Sequence, residues 1–290
     1  MKLGIDSYCY HRFFGEWYPN IQSDPGRRMT VWDFLDRAQE LDVKGVSLES
    51  CFLPGHDPNF VEQLGNELKV RGLEPVWAWG HPSGLGSGTR PDEVANLIDH
   101  LDVARRVGAK VMRVCGGSRH TRPAHWMQHR DALLELIYPV LDHAEKQGVI
   151  VAMENHVDLL ADEMVELVEA INSPWFGVCL DTANNLRLFE DPVEVVRKLA
   201  PYARATHIKD LTTQRGNPKT FAFWPSVAVG DGLVDIPSIL QVLRDVQYTG
   251  LLAIEVDYLH PQHGDEDEAV SKSVAYLKSL LPLNESQIHN

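Results

Sequence analysis

The chain is poor in cysteine. Four thiols, Cys9, Cys51, Cys115 and Cys179, are scattered through 290 residues, and no two form a C-x-x-C pair. That spacing suits reduced thiols in a cytoplasmic protein better than a disulfide framework. Long apolar runs are missing too: no stretch approaches the roughly 18 residues of a membrane-crossing helix. The opening MKLGIDSYCY carries Asp6 among its first apolar residues, so it reads as a strand and not as a secretory signal. Positive charge is scarce. Lys and Arg number 27 against 41 Asp and Glu, a net charge of −14, which argues against nucleic acid as a partner because such a surface repels polyphosphate. No Gly-rich phosphate turn follows the first apolar run, where SYCYHRFFGEW stands instead. That disfavours a doubly wound dinucleotide-binding sheet.

What is present is a repeat. Short apolar runs near 3–7, 44–48, 73–79, 109–115, 149–154, 176–181, 203–208 and 251–256 alternate with helical periodicity. The helical stretches fall at about 30–41, 59–71, 91–107, 128–147, 162–171, 192–199, 236–246 and 267–281. Proline near a first turn marks helix starts at Pro25, Pro91, Pro192 and Pro237. Gly45, Gly72, Gly108, Gly148 and Gly250 lie between a helix and the next strand, where a left-handed cap is wanted. Eight strand–helix units without a compositional break predict one α/β domain over 1–290, a (β/α)₈ TIM barrel. The long segments 8–29, 80–90, 116–127 and 210–235 all follow strands and share the rim where such barrels place chemistry.

Four neighbouring strands end alike. VAMENH, GVCLDT, ATHIKD and LLAIEVD each present a ligand-type residue, Glu154, Asp181, His207 and Glu255. The residue two places earlier shares its face and is small in every case: Ala152, Cys179, Ala205 and Ala253. Three carboxylates and one imidazole suit a hard or borderline divalent ion, Mn²⁺ first, with Mg²⁺ or Co²⁺ as alternatives and Zn²⁺ disfavoured. The plain alternative is a hydrogen-bonded rim without an ion, which would leave three packed anions uncompensated.

With MENH, CLDT, HIKD, AIEVD and VGDGLVDIPSIL in view, the chain resembles the xylose isomerase-like TIM-barrel superfamily of sugar isomerases and epimerases. The resemblance covers nearly the whole chain. It implies one Mn²⁺-type ion held by Glu154, Asp181, His207 and Glu255, chelating a hydroxy-ketone or its enediolate. It also implies an isomerase or epimerase acting on a small keto-sugar, with Glu154 and Glu255 moving the proton. A lyase, decarboxylase or dehydratase, on a 3-oxo sugar acid or keto-inositol is the alternative. The chain departs from the ketose 3-epimerases at three substrate contacts: Asn184 stands for a histidine, Thr213 for an arginine with Arg215 nearby, and Leu160 for a glutamate.

Around this core, His156, Arg113, Lys209, Arg215 and His81 are the expected substrate contacts. Arg113 has a second reading as a tie between strand-end carboxylates, with Glu49 as its partner, and Lys209 as a salt-bridge residue. Trp77, Trp79 and His81 share one face, either a sugar-lining wall or core; Tyr8, Tyr10 and His11 read the same way. His120, His125 and His129 are spaced too irregularly for a second metal and read as a loop over the site, as does HPSGLGSGTRP. HGDEDE at 263–268 reads as the solvated start of a helix. Phe221, Phe223 and Trp224 offer either a pocket wall or a homo-oligomer surface. A metal-dependent apurinic-site endonuclease would want more ligands and a basic face; a sugar-binding protein would not need paired glutamates.

Overall fold

The structure is a computed structural model and describes residues 1–80 and 83–281. Eight strands, β1 Lys2–Asp6, β2 Gly45–Glu49, β3 Glu74–Ala78, β4 Val111–Cys115, β5 Ile150–Glu154, β6 Phe176–Asp181, β7 Ala203–Ile208 and β8 Leu251–Ile254, close into a barrel. All neighbours run parallel, and β1 closes the sheet against both β2 and β8. A helix of 8 to 22 residues follows each strand, as the alternating periodicity predicts. Among the described residues, no helix is long and apolar enough to cross a membrane.

Local chemistry sets the helix ends. Pro192 and Pro237 sit in first turns, with Asp191 and Asp235 accepting from backbone N–H groups inside the helix. Pro25 starts no helix: Asp24 closes a turn onto the Gly26 N–H at 2.8 Å, and the helix begins at Thr30 through a capping box with Asp33. Pro91 lies just ahead of the helix that starts at Glu93. Gly72, Gly108 and Gly148 are left-handed caps, but Gly45 and Gly250 are not. Gly45 opens β2, where a Cβ would lie 2.5 Å from the Glu74 carbonyl, so close strand approach is what demands glycine there.

The core has two layers. Strand and helix side chains fill the outer one, while Val76, Ala152, Cys179, Ala205, Leu251 and Ala253 form a separate cluster inside the barrel. Truncating an outer-layer leucine such as Leu101 costs about 2–5 kcal/mol. The inner floor has little volume to lose, and its contribution is the room it leaves above. Trp77 and Trp79 belong to the outer layer. Their indoles donate to His100 Nδ1 at 3.0 Å and Asn96 Oδ1 at 2.8 Å, both on the Glu93–Val107 helix. The sugar-wall expectation for this pair is therefore corrected, because alternation gives the inner face of β3 to Val76. His81 lies outside the described residues.

Candidate metal centre

The register of the sheet gathers the four strand-end residues. Asp181 pairs with His207 across β6 and β7, and His207 with Ala253 across β7 and β8. Glu154 ends β5, and Glu255 follows directly on β8. One ligand atom from each of Glu154, Asp181, His207 and Glu255 lies within 4.8 Å of the others, and all four side chains are buried. His207 Nδ1 stands 3.6 Å from Glu154 and 3.3 Å from Glu255, while its Nε2 faces Asp6 at 3.3 Å. The Asp6 carboxylate orients the ring, as the outer partner of a metal-bound histidine does. Asp181 is fixed from behind, since its Oδ1 accepts the N–H groups of Ala183 and Asn184, each at 2.8 Å.

The donor set fits a divalent cation. Asp181 Oδ2, Glu255 Oε2 and His207 Nδ1 are buried without a well-angled hydrogen bond, although the Lys209 ammonium lies 3.1 Å from Asp181 and 2.6 Å from Glu255. Six carboxylates, those of Asp6, Glu49, Glu154, Asp181, Glu255 and Asp257, cluster at the mouth, and among the described residues the permanent cations paired with them are Arg113, Arg187 and Lys209. Burial opposes a charge on His207, but Cys179, Glu255 and Glu154 outweigh it and raise the pKa well above the imidazole range. Burial first, then Glu255 and Glu154, push Asp181 upward against the pull of Lys209. Burial opposes a charge on Glu154 and Glu255 as well, but Arg113 and His207 for the first and Lys209 and His207 for the second hold both below the ordinary carboxylate range. Neighbouring cations thus offset part of the negative charge. Oxygen-rich donors with one imidazole form a set able to hold a divalent metal ion.

Above the ligands lies a cavity of about 340 Å³, lined among others by Glu154, Glu255, His156, Lys209, Arg113 and Arg187. His156 Nδ1 sits 2.9 Å from the Gly117 carbonyl, which turns the ring to the cavity wall. Arg113 lines the cavity but is tied to Glu49, with Glu154 Oε2 3.4 Å from its Nε. Lys209 also contacts Asp257 at 3.2 Å. Asn184, the departure from the epimerase pattern, donates to Glu154 Oε1 at 2.9 Å and accepts from Arg187 at 3.2 Å. Arg215 is exposed and is not among the described residues that line the cavity.

The rim histidines disperse. His120 lines the cavity, His125 caps the Trp126–Gln147 helix, and His129 is buried 3.6 Å from Asp158. Tyr8 faces the cavity and meets Tyr18 at 2.9 Å, whereas Tyr10 packs on Phe34 and His11 bonds to Tyr8 and Gln22. Of the HPSGLGSGTRP segment, residues 83–91 are described and are docked, with Leu85 and Ser87 N–H groups donating to the Cys115 and Gly116 carbonyls. In VGDGLVDIPSIL the backbone wraps Asp210, which accepts from Gly230, Gly232 and Val234 at 2.9–3.0 Å. A Cβ on Gly232 would lie 2.1 Å from Asp210 Oδ1, so only glycine closes this turn. HGDEDE is a helix entry open to solvent as expected except at Glu266, which is 2% exposed and bound by Arg12 at 2.8 Å. Asp6, Asp257, Arg187 and Tyr18 are site residues that the sequence reading did not single out.

Comparison with known proteins agrees with this geometry. Over 160 residues the chain is 28% identical to 3-oxo-isoapionate decarboxylase of Pectobacterium atrosepticum, a match spanning 55% of this chain and only 56% of that enzyme. It is 23% identical to inosose dehydratase of Clostridium beijerinckii, across 90% of this chain and 93% of the other. A xylose isomerase domain protein from Planctomyces limnophilus superposes with a TM-score of 0.72 at 24% identity, covering 85% of this chain and 90% of its own, a likeness of fold. Residues 35–280 match the family described as xylose isomerase-like TIM barrel, and with barrel, quartet and match in agreement the chain belongs to that family.

Proposed function

We propose that the protein is a divalent-metal-dependent lyase that removes water or carbon dioxide from a small 3-oxo carbohydrate, either a keto-inositol or a 3-oxo sugar acid. The observation that carries this reading is the Lys209 ammonium, 97% buried and in contact with Glu255, Asp181 and Asp257 at the floor of the cavity. The two candidate proton carriers have unlike neighbours. Glu154 lies between the Asn184 amide and the Arg113 guanidinium, neither of which releases a proton near neutral pH. Glu255 lies against an ammonium. Burial opposes that charge, but Asp181, Asp257 and Glu255 outweigh burial and hold the Lys209 pKa well above the lysine range. It stays protonated and yields a proton only to a strongly basic group such as a departing hydroxide. Inverting a centre by two matched bases does not call for that difference; expelling a hydroxide does, because the leaving oxygen must receive a proton. The names of the two relatives, a decarboxylase and a dehydratase, point the same way.

Glu154, Asp181, His207 and Glu255 would hold the ion. When bound, it would supply Lewis-acid polarisation of a ketone and its neighbouring hydroxyl and so acidify the intervening C–H. Glu154 takes that proton when water is the leaving group; loss of CO₂ breaks no C–H bond and needs no base. In the dehydratase outcome the C–H and β C–O bonds break, a C=C bond forms, and the hydroxide departs as water with a proton from the Lys209–Glu255 side. In the decarboxylase outcome the C–C bond electrons pass into the ketone, and the same side returns a proton to carbon. His156 and Arg113 bound the substrate from β5 and β4.

The test is incubation of the Mn²⁺-loaded protein in D₂O with keto-inositols, 3-oxo sugar acids and neutral ketoses, read by NMR and mass spectrometry. Loss of about 18 or about 44 mass units, for water or CO₂ respectively, is the expected result. Deuterium uptake with recovery of an epimer and no fragmentation would sink the lyase. It would favour the isomerase or epimerase reading instead, which rests on Glu154 and Glu255 reaching the cavity from opposite ends of the ligand arc.

A further inference from the structure

The cavity wall is more basic than the rest of the molecule. Arg113, Arg119, Arg187, Lys209 and Lys219 line it against four carboxylates, in a chain where acids outnumber Lys and Arg by 41 to 27. Three of the five cations are committed: Arg113 to Glu49 and Glu154, Arg187 to Asp257, Lys209 to Asp181, Glu255 and Asp257. Arg119 and Lys219 face no carboxylate among the described residues. Arg119 is half-buried and held in place. Its two terminal nitrogens donate to the Arg187 carbonyl at 2.7 Å and the Lys219 carbonyl at 3.2 Å, which come from two separate rim segments. Those carbonyls fix the plane of the guanidinium without neutralising it, and of its five N–H donors three remain. A neutral sugar gives no reason to hold an uncompensated guanidinium at the wall; an anion does.

We infer that the substrate carries a carboxylate that takes no part in bond breaking, and that Arg119 receives it, with Lys219 and His120 beside it. This rests on the carbohydrate reading of the same cavity given above. The group is a spectator for an energetic reason. A carboxylate that leaves as CO₂ must give up its negative charge in the transition state, so a guanidinium clamped on it would stabilise the ground state and slow the reaction. Arg119 therefore anchors the far end of the substrate while the ketone lies over the ligand quartet. The cavity is near the small end for a ligand pocket, which suits a compact sugar acid better than a bulkier phosphate ester.

The experiment uses three matched ketoses and the Mn²⁺-loaded full chain, with affinity measured by calorimetry: neutral D-fructose, its C6 acid D-fructuronate, and D-fructose 6-phosphate. The acid should bind about tenfold or more tightly than fructose, the scale of a hydrogen bond to a charged group. Arg119→Gln should bring that ratio close to one, Arg119→Lys should restore part of it, and Lys146→Gln, on the exposed outer helix, should leave it unchanged. Circular dichroism and Mn²⁺ titration check that each variant is folded and loaded. Equal affinity for acid and ketose, no binding of the acid, a preference that survives Arg119→Gln, or tighter binding of the phosphate would each overturn the inference. Acid preference without water or CO₂ loss from any 3-oxo compound would sink the lyase alone; lyase activity on neutral keto-inositol without acid preference would sink this inference alone.

Discussion

The two halves of the barrel bring different chemistry to one mouth. β5 to β8 end in Glu154, Asp181, His207 and Glu255, and with Asp6 from β1 they leave Asp181 Oδ2, Glu255 Oε2, Asp6 Oδ2 and both His207 nitrogens without good hydrogen bonds. β2 and β4 bring Glu49 and Arg113, whose charges answer each other directly, and leave the Arg113 Nε and the Ser47 hydroxyl, but no carboxylate oxygen, without a good hydrogen bond. The first half is over-anionic and under-satisfied, an arrangement that costs stability unless a cation completes it. The second is neutralised by its own side chains and serves as a wall. Unsatisfied carboxylate oxygens thus mark where the reaction belongs, and internal pairing marks what merely frames it.

The largest expected effect separates the halves outright. Asp181→Ala should abolish stoichiometric Mn²⁺ binding and lower kcat/KM by about 10³-fold or more, the scale of losing a central electrostatic contact. Metal analysis after gel filtration, with turnover on the first substrate found, checks this. Glu49→Gln, in the paired half, should keep its ion, and a metal-free Glu49→Gln protein would erase the distinction. Lys209→Met comes next. It should retain the fold and the ion but lose about 10²–10⁴ in kcat, the range of one proton-transfer group. Lys209→Arg should not restore it, because a guanidinium keeps its proton. Recovery of turnover with arginine would reduce Lys209 to a counter-charge.

The paired half is tested by stability. Glu49→Ala leaves the Arg113 guanidinium, 6% exposed, with Glu154 as its remaining carboxylate. Breaking a buried pair from one side costs about 3–5 kcal/mol, and the surviving partner places this case at the low end. Glu49→Leu combined with Arg113→Met should recover most of that loss in urea unfolding, since neither charge is then stranded. A double variant no more stable than Glu49→Ala would mean that the pair holds the wall in shape as well as balancing charge.

The quartet able to hold a metal was legible because its pattern is local: a small residue, one residue between, then a ligand-type residue, at the ends of four strands. The same spacing recurs as Gly4 and Asp6 on β1, a signal sufficient to have found the carboxylate behind His207. Asp257 repeats the two-residue step beyond Glu255. Arg187 had no such signal, since it stands on the short turn Asn184–Leu188 and matters through Asp257, which is 70 residues away. Trp77 and Trp79 were correctly placed on one face, but a strand buried on both sides does not declare which face is inward. Glu266 reads as a solvated helix start until the fold brings Arg12 against it from 254 residues away. Local periodicity carried the architecture; partners distant along the chain decided the rest.

The smallest effect sharpens the contrast from the paired half's outer layer. Burial, helped by neighbouring His56, holds the His100 pKa down to about 4, and the ring accepts the Trp77 indole N–H. A histidine whose folded pKa lies below its unfolded value binds more protons unfolded than folded between the two. Its contribution is present above about pH 6.5 and is lost as pH falls toward 4. Burial also lowers His129 to about 4, but burial raises its neighbour Asp158 to about 6. A raised carboxylate favours the folded state as pH falls, so this pair largely cancels while His100 does not. His100→Gln, whose amide oxygen can still accept from Trp77, should therefore lose less stability than the parent between pH 7 and pH 4.5, by about 2 kcal/mol. Denaturant midpoints at both pH values give that double difference directly. Equal losses in the two proteins would show that His100 titrates normally, and that the Trp77 bond is held by packing without a neutral imidazole.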